Sequence, residues 1–371
     1  MKIVGFVVAF IIVLSACSKK NTDILDAKLV SVWEPDANFS SDFAMTGINY
    51  YNSDIIYPTR GDRSFMFVFQ DLTGKTGRTV TVPYGKGPGE MQSHMTISVA
   101  EDKIVIYDYA ASKVIVYGTD GKHIDDYNLD TTIGVPMTVA IAGSDMYING
   151  KYDNKLIKYD LLANAVVKGI KYESNKTTVP ITGDVFEGGW VAYDPVDELV
   201  YLGYYNRPFR LERYDTDLNL KDTLTVADAD TYKKCTWYYP NPIQTTQIGD
   251  RVIAGIVFDE NYVYASYGGG YEVAINDPNK PYEYNPSVVK ISVFEKKTGR
   301  SVLTIGCQQL DGIRGFIKIL GVTKENIILQ IADMSDVTYR IMGKNRSATQ
   351  NRNFAVVVLK NPMYDNNRSN I

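Results

Sequence analysis

Short apolar or alternating runs that end in an aromatic residue, each followed by a polar turn, return along most of the chain. Met66-Phe67-Val68-Phe69 leads into Gln70-Asp71-Leu72-Thr73-Gly74, and Val114-Ile115-Val116-Tyr117 leads into Gly118-Thr119-Asp120-Gly121. Leu156-Ile157-Lys158-Tyr159, Leu211-Glu212-Arg213-Tyr214, Ile291-Ser292-Val293-Phe294 and Val356-Val357-Val358-Leu359 bring the copies to six. Period-two alternation in β-branched and aromatic residues predicts strands. A second strand precedes the anchor, as in Lys103–Tyr107, Asp145–Ile148, Leu199–Leu202, Tyr262–Ala265 and Asn326–Leu329. A third lies before that, as in Thr96–Ala100, and a fourth follows the anchor, as in His123–Leu129.

Phe69, Tyr117, Tyr159, Tyr214 and Phe294 lie 48, 42, 55 and 80 residues apart, and Leu359 follows 65 later. The shorter spacings suit propeller blades of about 40 to 50 residues, and the longer ones call for insertions. Four antiparallel strands per repeat, with almost no helical periodicity, predict an all-β six-bladed β-propeller over residues 27–371. The last blade lacks an outer strand of its own. An open edge would invite aggregation, so the strand Ala27–Trp33 is expected to supply it and close the ring.

The first residues carry a different pattern. Met1-Lys2, the apolar stretch Ile3–Leu14 and the small residues Ser15-Ala16 form an export signal, too short for the roughly 20 apolar residues of a membrane-spanning helix. Leu14-Ser15-Ala16-Cys17 resembles the bacterial lipobox, which implies cleavage after residue 16 and a lipid on Cys17. Residues 17–26 then read as a polar tether. The expected address is the bacterial cell envelope, with the protein held at the membrane by lipid and facing the periplasm or the exterior. In an oxidising compartment Cys235 and Cys307 either pair or stay as buried thiols.

Composition narrows function by exclusion. Lys plus Arg number 39 against 43 Asp plus Glu, and the pI is about 5.4, so no basic surface exists for nucleic acid. Two His and three Cys offer little to zinc, haem or iron–sulfur chemistry. No cofactor is predicted, and a divalent cation enters only with the hydrolase alternative below.

The chain resembles the six-bladed NHL/TolB-like β-propeller lipoproteins of Bacteroides-type bacteria over nearly its whole mature length. The most specific local mark is Gly85-Lys86-Gly87-Pro88-Gly89-Glu90 between the first two blades, where Met91 replaces the aromatic residue usual after that Glu. A weaker echo, Asp311-Gly312-Ile313-Arg314-Gly315-Phe316, lies between the fifth and sixth. The resemblance implies a binding or interaction role.

Antiparallel alternation places the loop between second and third strands on the same face as the connection to the next blade. The insertions fall there, and the turns opposite are minimal. Candidate binding residues on that face are Arg60, Arg63, Asp108, Tyr109, Lys151, Tyr152, Tyr204, Tyr205, Arg207, Trp237, Tyr238 and Tyr267. Aromatic faces can stack on a flat ligand while Arg forks onto carboxylate, phosphate or carbonyl groups, which suits a protein, a glycan or a small polar ligand. Catalysis is not the favoured reading. The alternatives are a metal-dependent hydrolase or lactonase in the central funnel, with Asp62, Asp108, Asp153 and Asn206 as oxygen ligands, and a scaffold subunit of an envelope complex.

Several signals are weak on inspection. Gly85–Gly89 lacks the spacing of a phosphate loop and reads as an inter-blade turn. Asp215-Thr216-Asp217-Leu218-Asn219 reads as a hairpin, because a calcium loop needs Gly where Leu220 stands. His94 and His123 stand alone in sequence.

Overall fold

The computed structural model describes residues 24–35, 47–93, 96–108, 110–129, 138–149, 154–171, 182–183, 189–205, 208–233, 236–241, 244–272, 283–333, 335–345 and 353–364. The six anchors Phe69, Tyr117, Tyr159, Tyr214, Phe294 and Leu359 all sit in the third strand of a blade, and all are buried. Each faces the equivalent residue of the second strand: Ile56, Ile104, Met146, Val200, Val263 and Ile327 in turn. One register therefore repeats six times.

Blade 1 comprises Asn49–Tyr51, Asp54–Arg60, Ser64–Gln70 and Thr76–Pro83. Blade 2 comprises Thr96–Ala100, Lys103–Asp108, Lys113–Gly118 and His123–Asn128. Blade 3 comprises Thr138–Ala142, Asp145–Asn149, Asn154–Asp160 and Ala165–Lys171. Blade 4 comprises Gly189–Asp194, Leu199–Tyr204, Arg210–Asp215 and Leu220–Thr225. Blade 5 comprises Ile256–Phe258, Tyr262–Ser266, Lys290–Glu295 and Ser301–Gly306. Blade 6 takes Ile313–Val322, Asn326–Asp333 and Asn353–Lys360 from the end of the chain, and Leu29–Trp33 from its beginning. Each inner strand packs beside the inner strands of both neighbouring blades, sixth against first included, so the ring is closed.

The predicted closure by the N-terminal strand is present, with Leu29 opposite Leu359 and Trp33 opposite Val356. The chain also reaches one blade further back. Ile24–Asp26 runs parallel to the outer strand of blade 5, pairing Ile24 with Thr304 and Asp26 with Gly306, so the expected tether ends before residue 24. Ala27, between the two strands, is buried with Ile305 and Cys307.

The core is divided into slabs, one between each pair of blades. Phe67, Phe69, Ile104 and Tyr117 fill the first interface, and Ile55, Tyr57, Leu320 and Ile328 fill the last, where the ring closes. Burying each anchor contributes on the order of 2 kcal/mol. In blades 1 to 4 the turns between third and outer strands are held by aspartate. The Asp71 carboxylate accepts from the Thr73 and Lys75 amides, and that of Asp215 accepts from Asp217 and Asn219, which holds the Asp215 carboxyl down at about 2. The Asp215–Asn219 segment is thus a hairpin turn, as expected.

Gly85–Glu90 is pinned to the edge of blade 2. The Gly89 amide donates to Asp126 (2.9 Å), the Tyr117 hydroxyl donates to the Gly89 carbonyl (2.5 Å), and Lys113 Nζ donates to Gly87 O and to Asp126 (3.0 Å each). His123 completes the knot at 2.9 Å from Asp126, so it is a structural partner rather than an isolated histidine; His94 lies outside the described residues. Gly89 has φ +70°, and a Cβ there would stand 3.0 Å from the His123 ring. Gly89→Ala should therefore cost about 1–3 kcal/mol in urea unfolding. An unchanged midpoint would show that the loop is not held against blade 2.

Candidate functional site

The insertions do gather on one face, and they are ordered by pairing with one another. Thr182–Gly183, from the connection between blades 3 and 4, pairs with Thr236–Asn241 from the connection between blades 4 and 5. Thr236–Asn241 forms a hairpin with Gln244–Asp250, which pairs in turn with Gly270–Glu272. Glu283–Tyr284 completes the row. These last two strands come from the second-to-third-strand loop of blade 5. Three separate excursions thus build one additional five-stranded sheet on the face where the alternation of strands places them. Asp250 fixes its root: Oδ2 accepts from the Lys233 amide at 2.6 Å, and Oδ1 accepts from the Tyr267 hydroxyl at 2.9 Å.

The predicted binding residues divide. Arg60, Asp62 and Arg63 are exposed at the tight turn of blade 1. Tyr267 is partly buried at the root of the added sheet and packs on Tyr232. Trp237 and Tyr238 lie on the added sheet, opposite Gly183 and Thr182; only their backbone is described. Cys17, Tyr109, Lys151, Tyr152, Asp153, Asn206, Arg207 and Cys235 lie outside the described residues.

Three expectations are corrected. Tyr204 and Tyr205 are not contact residues, because both are buried, 0% and 2% exposed. Tyr204 donates to the buried Glu212 carboxylate at 2.5 Å, with the Arg210 guanidinium 3.9 Å from its ring centre. Tyr205 joins the core between blades 4 and 5. Asp108 is neither a surface group nor a free oxygen ligand. It is fully buried, with Oδ2 accepting from the Gln92 amide and Oδ1 from the amides of Ser93, Ala110 and Ala111. Asp333 does the same in blade 6, taking Ser335 and Thr338. Cys307 is a free thiol in the core between blades 5 and 6, pushed up to about 11 by burial. Among the described residues no three His, Cys, Asp or Glu side chains converge as ion ligands, and no helix is long and apolar enough to cross a membrane.

None of the residues expected to serve the central funnel lines the channel among the described residues. The six inner strands enclose a cavity of about 420 Å³. Asn52 and Pro195, in turns of the short-loop face, contribute to its wall, so the cavity reaches that face. Apolar and polar side chains share the wall, Val99, Ile141 and Ile256 beside Asn49, Thr96 and Thr138. Lys318 lines it from blade 6, 7% exposed, and donates from Nζ to the Ile48 carbonyl of blade 1 at 3.1 Å. The same ammonium stands 4.6 Å from the ring centre of Trp190, on the inner strand of blade 4. Burial pushes its pKa down to about 7. The signal was present in Phe316-Ile317-Lys318-Ile319-Leu320, where one cation interrupts an apolar strand.

Residues 42–165 match the family model described as a 6-bladed beta-propeller, DUF5128. A member of the DUF4221 family from Bacteroides vulgatus superposes with a TM-score of 0.56 at 12% identity, covering 91% of this chain and 99% of that one. A Bacteroides fragilis protein described as exported gives 0.51 at 11% identity, covering 89% and 94%. No curated protein matches the sequence. At such identities the likeness is one of fold. The chain is an all-β six-bladed propeller of four-stranded antiparallel blades, similar in architecture to these Bacteroides proteins.

Proposed function

We propose that the protein is a lipid-anchored propeller of the cell envelope that acts as a non-catalytic binding module through its insertion-bearing face. The observation that carries this reading is the added sheet: three insertions from three separate places pair into one platform, while the opposite face keeps minimal turns. Rigid scaffolds carry function on such elaborated loops. The row of strands also offers backbone donors and acceptors at its ends, a recurrent way of receiving an extended segment of a partner. Export is supported by the leader and by the description of the Bacteroides fragilis structure.

Photo-crosslinking in intact cells tests the face. A benzophenone side chain at Arg60 or Lys233, both exposed on the insertion face, should give a discrete adduct. The same group at Lys122 or Lys297, exposed on short turns opposite, should not. Adducts from the second pair alone, or equally from all four, would refute the assignment. Cys17→Ala should move the protein from the membrane fraction to the soluble envelope fraction and abolish palmitate labelling; labelling that persists would remove the lipid from the reading.

A further inference from the structure

The channel contains chemistry of its own. A buried ammonium is costly unless an anion compensates it. Lys318 has the Ile48 carbonyl and the face of Trp190, and among the described residues it is the only formally charged one lining the cavity. The other titratable groups facing the channel from the six inner strands are Tyr50, Tyr51 and Tyr193. Desolvation raises the first and the last of these, so they remain neutral hydroxyls.

A second donor lies beside the amine without an acceptor. Trp190 is 7% exposed, and its Nε1 has no hydrogen-bond partner among the described residues. Lys318 and the ring of Trp190 thus line a cavity whose remaining wall combines Val99, Ile141, Val191 and Ile256 with polar groups such as Thr96 and Thr138. Buried donors left unmade cost free energy that an acceptor restores. The volume lies within the roughly 300–1,000 Å³ of small-molecule sites.

We propose that the channel is a ligand site for a small monocarboxylate, entering from the short-turn face with its carboxylate at Lys318 and Trp190 Nε1 and its apolar body along the inner strands. One negative charge matches one ammonium; a dianion would leave a charge uncompensated in the same wall. Because the amine is held near pH 7 by burial, a bound carboxylate favours its protonated form, and binding takes up a proton above neutrality. Affinity should then fall about tenfold per pH unit between about pH 8 and 10.

The test uses the full-length protein in detergent, with hexanoate and phenylacetate as probes, hexanamide and phenylacetamide as neutral counterparts, and inorganic phosphate as the dianion. Saturation-transfer NMR and calorimetry at about 10 mM probe reach the millimolar affinities expected of such small ligands. The carboxylates should bind at least tenfold more tightly than the amides and than phosphate. Lys318→Met, which keeps the apolar length, should abolish the preference, and Trp190→Phe, which keeps the ring face but removes the N–H, should weaken it several-fold. Equal binding of acids and amides, undiminished preference in Lys318→Met, or no binding of either acid would overturn the proposal. The readout is independent of the crosslinking on the opposite face, so either assignment can fail alone.

Discussion

Raising the pH from 7 to 10 should stabilise the native protein by about 4 kcal/mol through Lys318 alone. In the unfolded chain this amine titrates near its ordinary value of about 10.4. In the channel it releases its proton near 7, because burial disfavours the ammonium. Between those values the unfolded state holds one proton more than the native state, so stability rises with pH at about 1.4 kcal/mol per unit and levels off below the folded value. Other groups titrate over the same range, so the measurement is the difference between the native protein and Lys318→Met, by urea unfolding at each pH. The variant should be the more stable near pH 7, with the gap closing toward pH 10. A gap that does not change with pH would show that the Lys318 ammonium keeps its hydration inside the channel.

Glu212→Ala should cost about 3–5 kcal/mol, the scale for stripping one partner from a buried ion pair. The Glu212 side chain, in blade 4, reaches Lys155 Nζ of blade 3 at 3.2 Å and accepts the Tyr204 and Tyr214 hydroxyls at 2.5 Å each. Burial by itself would raise the Glu212 carboxyl, but the two hydroxyls and the ammonium more than offset it and hold it below the usual range. Its contribution is therefore present above the ordinary carboxylate value and is lost as pH falls through the lower folded value. Alanine leaves a buried ammonium and two phenols without their acceptor. Glu212→Gln should cost less, keeping an acceptor but not the charge, and Lys155→Met less still, because the carboxylate retains both hydroxyls. Chemical denaturation of the three variants gives the order. If Lys155→Met were the most damaging, the carboxylate would not be the hub.

The six-fold repeat was legible because one physical requirement recurs in each blade. A third strand between two neighbours must bury a large side chain at a fixed register, and in blades 1 to 4 an aspartate caps the turn that follows. Trp33 and the strand before it were legible for a related reason, since a ring leaves no edge. The added sheet was not legible. Spacings of 55 and 80 residues reveal that chain has been inserted, but pairing between distant insertions depends on where the ring delivers them. Tyr204 and Asp108 misled for opposite reasons. An aromatic at the end of a strand looks like a rim residue until a neighbouring blade covers it, and a loop aspartate looks like a ligand until four amides claim its oxygens. Lys318 was readable as a misfit in an apolar strand, but only closure of the ring turns that misfit into the sole charge lining a channel among the described residues.

The pairing of Leu29 with Leu359 spans 330 residues. The strand Leu29–Trp33, made early, therefore waits for a partner that lies near the other end of the chain. Closing so long a loop adds only about 0.6 kcal/mol per doubling of length, so the native state tolerates it, but such non-local pairing slows folding. Until Asn353–Lys360 arrives, blade 6 keeps an exposed edge and Leu29–Trp33 has no strand to pair with. The growing chain should thus persist as an arc that is open to proteases and to annealing with other chains, and shutting the ring should be the last step of folding.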